Sequence, residues 1–167
     1  MNELMIYQVF PLRALTDGQP SHGILEMIDW IQHIKKLGMN AVYFSPVFSS
    51  SDHGYDTKDY QKIDERLGTN EDFKKMCDAM HEEGIQVILD GVFNHVGREF
   101  FAFEDVREKK WDSPYKDWFY INFDGNSCYE SQFSDNFSCF DYLLMGIAAM
   151  MMDSGTKDGK DILNWSN

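Results

Sequence analysis

Apolar residues fall in three short runs, and each of the first two is followed by a stretch where they recur every three or four positions. The first run, Leu4 to Phe10 (LMIYQVF), is rich in β-favouring residues and stops at Pro11, which predicts a strand. A polar loop with Gly18, Pro20 and Gly23 follows. Ile24, Met27, Ile28, Ile31 and Ile34 then stand at helical spacing. Lys35 and Lys36 lie where the last turn attracts cations, and Gly38 supplies a C-terminal stop. NAVYFSPVF, from Asn40 to Phe48, predicts a second strand that ends near Pro46. Being almost wholly apolar, it is expected to be buried on both faces.

A loop, SSSDHGYDTKDYQKID, separates it from the next helix. Thr69 or Asn70 caps that helix, Phe73, Met76, Cys77 and Met80 form its inner face, and Gly84 ends it. IQVILD, Ile85 to Asp90, is the third predicted strand. Strand, helix, strand, helix, strand with short connections is the pattern of a parallel α/β sheet. The handedness of such crossovers places both helices on one side, which suits a barrel. Beyond Gly97 the chain is aromatic and irregular, with one short helix expected, and from Glu130 onward no period is discernible.

The 167 residues suffice for one domain with a real core. At 43% apolar and 15% aromatic the chain can bury surface. A formal charge of −13 argues against nucleic acid and anionic membrane as partners, since both select clustered Lys and Arg. The start, MNELMIYQVFP, lacks the basic flank and apolar run of a signal peptide. No apolar stretch approaches the ~20 residues that span a bilayer. Cys77, Cys128 and Cys139 form neither a disulfide framework nor a zinc spacing, and read as free thiols in a reducing cytoplasm.

In parallel α/β folds, reactive groups gather at the C-terminal ends of strands. Asp52, His53, Tyr55 and Asp56 follow the second predicted strand, and Asp90, Asn94 and His95 follow the third. Adjacent strands lie ~4.8 Å apart, so both clusters are expected at one mouth. Each residue also has a structural reading. Asp90 can bond backbone amides at a strand end, Asn94 and His95 can be turn residues, and Tyr55 can be a packed aromatic. Their convergence favours a functional reading over the sum of the structural ones.

DGVFNH, Asp90 to His95, resembles the first signature of the α-amylase family of glycoside hydrolases. DHGYDTKDYQKIDERLGTNEDF resembles that family's loop after strand two and the entry to its second helix, and IYQVFP and LGMNAVYFSPVF resemble its first two strands. The likeness runs from about Met5 to Asn122, with a flavour of the cyclomaltodextrinase and maltodextrin-glucosidase branch. It implies the N-terminal part, about three β/α units, of a TIM (β/α)8 barrel over residues 1–97, and the start of the domain inserted after strand three over residues 98–145. It further implies that Tyr55 stacks on the sugar at the cleavage subsite and that Asp56 holds the loop. His95 would bond the same sugar's hydroxyls, and Asp90 would brace the neighbouring groups. Asn94 matches a position that ligates calcium in many α-amylases, although several branches lack the ion. No cofactor is otherwise required. Trp111, Tyr115, Trp118 and Phe119 either line sugar subsites or form the insert's own core, with the core favoured for most.

Retaining glycosidases cleave with two carboxyl groups about 5–5.5 Å apart. The resemblance places these after strands four and five, with a third carboxylate after strand seven. No such strand ends are legible after His95, so no catalytic carboxylate is assigned to this chain. A full barrel takes eight strands and ~250 residues. The tail suggests why the pattern fails. Back-translated and read two bases later, Leu143 onward is compatible with FDGNSCYDDGFWYEGWEGHFELVK, and the three methionines Met150 to Met152 with Asp153 dictate Asp-Asp-Gly in that frame. The string FDGNSCY also stands in the chain's own frame from Phe123 to Tyr129. Residues 146–167 are therefore expected to be a frameshifted, non-native reading. The expected function is that of a truncated, inactive piece of a retaining hydrolase of α-glucans such as maltodextrins. The alternatives are a sucrose- or trehalose-converting transglucosidase of the same fold and a non-catalytic amylase-like domain.

Overall fold

A computed structural model describes residues 3–93, 95–119 and the backbone of 143–144. Two compact units emerge, residues 1–49 with 60–91, and residues 50–59 with 92–167.

In chain order the elements are β1 (Ile6–Val9), α1 (Pro11–Ala14), α2 (Met27–Lys36), β2 (Ala41–Phe44), β3 (Phe48–Ser50), β4 (Thr57–Ile63), α3 (Asn70–Glu82), β5 (Gln86–Leu89), β6 (His95–Val96), α4 (Phe101–Lys109) and β7 (Leu143–Leu144). The first unit is built on a parallel sheet in the order β1-β2-β5. Ile6 lies opposite Ala41, and Ala41 opposite Gln86. These are the three strands expected from the sequence.

Side chains alternate across a strand, so Tyr7 and Val9 share a face with their partners Val42 and Phe44. Tyr7 meets the ring edges of Trp30 and His33 in α2, with centroids 6.5 and 6.3 Å apart. Phe44 meets Phe73 of α3 at 6.4 Å. Both helices therefore cover the same face of the sheet, as the crossover rule requires. Ile24, Met27, Ile34, Phe44, Phe73 and Met80 are fully buried between them. Lys35 and Glu83 pair where the two helices end.

Three local features depart from the sequence reading. The stretch expected to be a loop contains β3 and β4, which pair with each other. The buried residues of β4 are Thr57, Tyr60 and Ile63, a spacing of three that hides the alternation of an ordinary strand. The helix expected from Ile24 begins as a 3-10 turn, Gly23–Glu26, and becomes α-helical only at Met27. Pro11 opens the short α1, where its missing N–H costs nothing.

The N-terminus of α3 is set by a reciprocal cap. Thr69 Oγ1 accepts the Asp72 N–H at 3.1 Å, and the Asp72 carboxylate accepts the Thr69 N–H at 3.0 Å. His22 Nδ1 lies 2.6 Å from the same carboxylate. The His22 bond first, and the Thr69 amide next, hold the Asp72 carboxyl below its usual range. A carboxyl held low stabilises the fold above its unfolded pKa, and that contribution is lost as pH falls through the folded value. Asp72→Ala should therefore cost about 1 kcal/mol at neutral pH in urea unfolding, with the deficit shrinking in acid below about pH 4. A deficit that stays constant into acid would contradict this account.

Cys77 is buried on the inner face of α3, and burial pushes its thiol up to about 12. It is a packing group and an unreactive thiol. Cys128, Cys139 and the segment 146–167 lie outside the described residues.

Candidate functional site

Asp90, in the first unit, directly follows β5. Its amide donates to the Phe44 carbonyl at 3.0 Å, which continues the ladder one residue beyond the strand. Its carboxylate accepts the phenolic proton of Tyr43, with Oη 2.8 Å from Oδ2.

Tyr55, Asp56 and His95 come together in the second unit. Asp56 is 3% exposed, and a carboxylate so placed needs donors. It has them in its own loop. The N–H of Asp52 donates to Oδ2 at 2.7 Å and that of Gly54 to Oδ1 at 3.2 Å. His53 Nδ1 accepts the Tyr55 N–H at 3.3 Å and lies 3.7 Å from Asp56 Oδ1. The Asp56 carbonyl accepts the Ser51 N–H at 3.3 Å. The loop is thus folded around one buried carboxylate.

Residues 95–97 lie against this loop. His95 Nε2 is 3.1 Å from the Tyr55 carbonyl, and the Gly97 N–H donates to the Thr57 carbonyl at 2.9 Å. A carbonyl only accepts, so Nε2 carries the proton in this contact. β6 itself pairs antiparallel with β7, His95 opposite Leu144. The glycine at 97 is required by space, because a Cβ there would stand 2.4 Å from the Asp56 carbonyl oxygen. Thr57 Oγ1, beside the Asp56 carboxylate in sequence, is buried with no hydrogen-bond partner among the described residues.

Burial holds the His95 imidazole below its usual value. The Tyr55 carbonyl opposes this, the nearby His53 adds to it, and Asp56 opposes it. The fold therefore favours neutral His95. Its contribution is complete above the unfolded value of about 6.5 and is lost as pH falls through the lower folded value. Unfolding free energy should fall as pH drops below about 6.5, more steeply in the wild type than in His95→Gln. Equal slopes in urea titrations across that range would show that His95 is not the group responsible.

The sequence-singled aromatics divide. Trp118 and Phe119 are buried, Phe119 against Phe103 at 5.6 Å and Trp118 against Tyr115 at 5.0 Å. They belong to the core of the second unit. Trp111 and Phe101 are exposed, and Phe101 meets Tyr115 edge-on at 5.4 Å. Sequence reasoning missed Tyr43, Thr57 and Gly97. The signal for Tyr43 was a hydroxyl at the end of a strand otherwise apolar. For Gly97 it was a glycine two residues beyond the histidine.

Asn94 lies outside the described residues. Among the described residues no three His, Cys, Asp or Glu side chains come together to hold a metal ion. No helix among them is long and apolar enough to cross a membrane.

The arrangement has relatives. Residues 8–144 match the family model described as the alpha amylase catalytic domain. A cyclomaltodextrinase from Bacillus sp is 51% identical over 142 residues, covering 72% of this chain and 25% of its own length. Neopullulanase 2 from Thermoactinomyces vulgaris is 42% identical over 141 residues, covering 71% and 24%. The crystal structure of a debranching enzyme from Nostoc punctiforme superposes with a TM-score of 0.68 at 35% identity, covering 85% of this chain and 35% of that one. The chain spans about a quarter of the length of these curated relatives. With three parallel strands, two crossover helices on one face and a match across most of its length, this chain belongs to the α-amylase family and carries the first β/α units of its TIM barrel.

Proposed function

We propose that this chain is the sugar-holding N-terminal part of a retaining glycoside hydrolase of α-glucans, and that it does not cleave its ligand unaided. The observation that carries the reading is the contact of His95 Nε2 with the Tyr55 carbonyl at 3.1 Å. It brings the loop after the second barrel strand to the segment after the third. Tyr55 supplies a ring face for a glucosyl unit. His95 bonds the same sugar's hydroxyls, bonds that strengthen as the ring flattens toward an oxocarbenium ion. Asp56 holds the loop and Asp90 braces the strand end. The nucleophile and the general acid/base are assigned to parts of the parent barrel outside these residues, and no cofactor is needed. Calcium at Asn94 belongs to the same proposal, as an auxiliary ion.

The family match ends at residue 144, which supports reading 146–167 as frameshifted. Codons incompatible with the shifted string at several positions would end that part of the proposal. The buried free thiol of Cys77 and the charge of −13 fit a protein of the reducing cytoplasm that does not bind nucleic acid.

The test is a nuclear magnetic resonance titration of the full chain with maltotriose, followed by analysis of the sugar. Resonances of Tyr55 and His95 should shift in a saturable way, with the maltotriose recovered intact. Unshifted resonances would overturn the sugar-holding role. Released glucose or maltose would overturn the assignment of the cleaving groups elsewhere.

A further inference from the structure

We propose that His53 is a positioning residue for Tyr55, and that by fixing this tyrosine it sets how tightly the second unit holds a glucosyl chain. The inference rests on the sugar-holding reading above and assigns a residue that the reading leaves without a role.

One atom of His53 closes a three-residue turn. The Tyr55 N–H donates to His53 Nδ1 at 3.3 Å, a bond from a backbone amide to the side chain two residues earlier. Asparagine and aspartate close the same kind of turn with a side-chain oxygen. Gly54, the residue between, has a φ of +97°, a left-handed value that favours glycine. An amide N–H only donates, so Nδ1 carries no proton in this contact.

The Tyr55 carbonyl is engaged as well, since His95 Nε2 lies 3.1 Å from it. The two peptide groups that flank the Tyr55 Cα are therefore both tied to imidazoles. With the backbone of Tyr55 held on both sides, the direction of its Cα–Cβ bond is set, and only its side-chain torsions remain. The His53 ring stands beside that of Tyr55, with centroids 6.2 Å apart and planes tilted by 45°, which narrows those torsions too. His53 has its own anchor. Its Nδ1 lies 3.7 Å from Oδ1 of the buried Asp56 carboxylate, and the Asp52 and Gly54 amides fix that carboxylate. An aromatic ring ordered before a ligand arrives loses less freedom on binding, and so gains affinity without a new contact.

Other contacts also reach His53, so the test separates its two ring nitrogens. It uses the full chain at about pH 8, where imidazoles are ordinarily neutral, with urea unfolding in parallel to establish folding. His53→Phe keeps a ring and removes both nitrogens. It should move the Tyr55 amide and ring resonances in the absence of sugar, and weaken maltotriose about tenfold. His53→Asn returns an acceptor two bonds from Cβ, where Nδ1 stands, and should recover the Tyr55 resonances and most of the lost affinity. His53→Gln carries its polar atoms one bond farther out, at the reach of Nε2, and should stay as weak as His53→Phe. Failure of asparagine to rescue, with or without rescue by glutamine, would show that Nδ1 is not the working atom and would overturn the positioning role. So would wild-type affinity in folded His53→Phe. Either result leaves the sugar-holding reading standing. A wild-type chain without response to maltotriose would overturn that reading and the affinity half of this inference with it, whatever the sugar-free resonances show.

Discussion

Gly97→Ala should destroy the junction between residues 95–97 and the loop around Asp56. The added methyl would be placed 2.4 Å from the Asp56 carbonyl oxygen and 2.8 Å from its carbon. Real carbon atoms do not approach so closely, and both neighbours are backbone, so no rotamer change relieves the clash. The chain at 97 must move away. In doing so it stretches the Gly97 N–H bond to the Thr57 carbonyl, now 2.9 Å, and pulls on Val96, which is fully buried. His95 is two residues upstream, and its 3.1 Å contact with the Tyr55 carbonyl depends on the same placement. Overpacking of this kind costs about 1–3 kcal/mol, and loss of two hydrogen bonds adds to it. A total near 3 kcal/mol, read from urea unfolding, is expected. The His95 resonances should also move toward those of an exposed imidazole. An unchanged midpoint with unchanged His95 signals would refute the structural role of this glycine.

Phe44→Ala should unfold most of the first unit. Phe44 is fully buried in the middle strand, where β1 flanks it on one side and β5 on the other. Its ring meets that of Phe73 edge-on at 6.4 Å. Truncation removes a ring contact between the sheet and α3 and leaves a cavity that neither strand can fill, since both are fixed by their ladders. Such truncations cost about 3–5 kcal/mol. Total stabilities of natural domains are only about 5–15 kcal/mol, so a large part is lost at one site. Circular dichroism should show a melting transition lowered by well over 10 °C or absent. Phe44→Leu, which refills most of the volume, should restore most of the stability. A melting point within a few degrees of wild type for Phe44→Ala would show that the sheet and α3 are not packed through this ring.

Much of this was legible in the residues. The three parallel strands announced themselves because buried strands are apolar throughout, and Val42, Phe44 and Ile88 have no polar alternative. The helix α3 was legible from both ends, with Thr69 as its cap and Gly84 as its stop. The strand pair β3 and β4 was not, because Thr57, Tyr60 and Ile63 bury at every third position, which breaks the alternation of a half-buried strand. Tyr55, Asp56 and His95 were legible as a group through a family motif, and the geometry joins them in one unit. Asp90 was singled out as a brace, but its tie to Tyr43 was not foreseen. A bond between residues 47 apart in sequence depends on strand order and register, neither of which a single chain spells out. The requirement at Gly97 was hidden for the same reason, since it arises from a backbone 41 residues earlier.

The loop wound about the Asp56 carboxylate has a further consequence. Its turn is closed by groups that it carries itself, from Ser51 to Asp56. Its shape therefore depends little on which residues fill the rest of the cylinder. A corner sealed from within can keep its shape while the segments around it are recast.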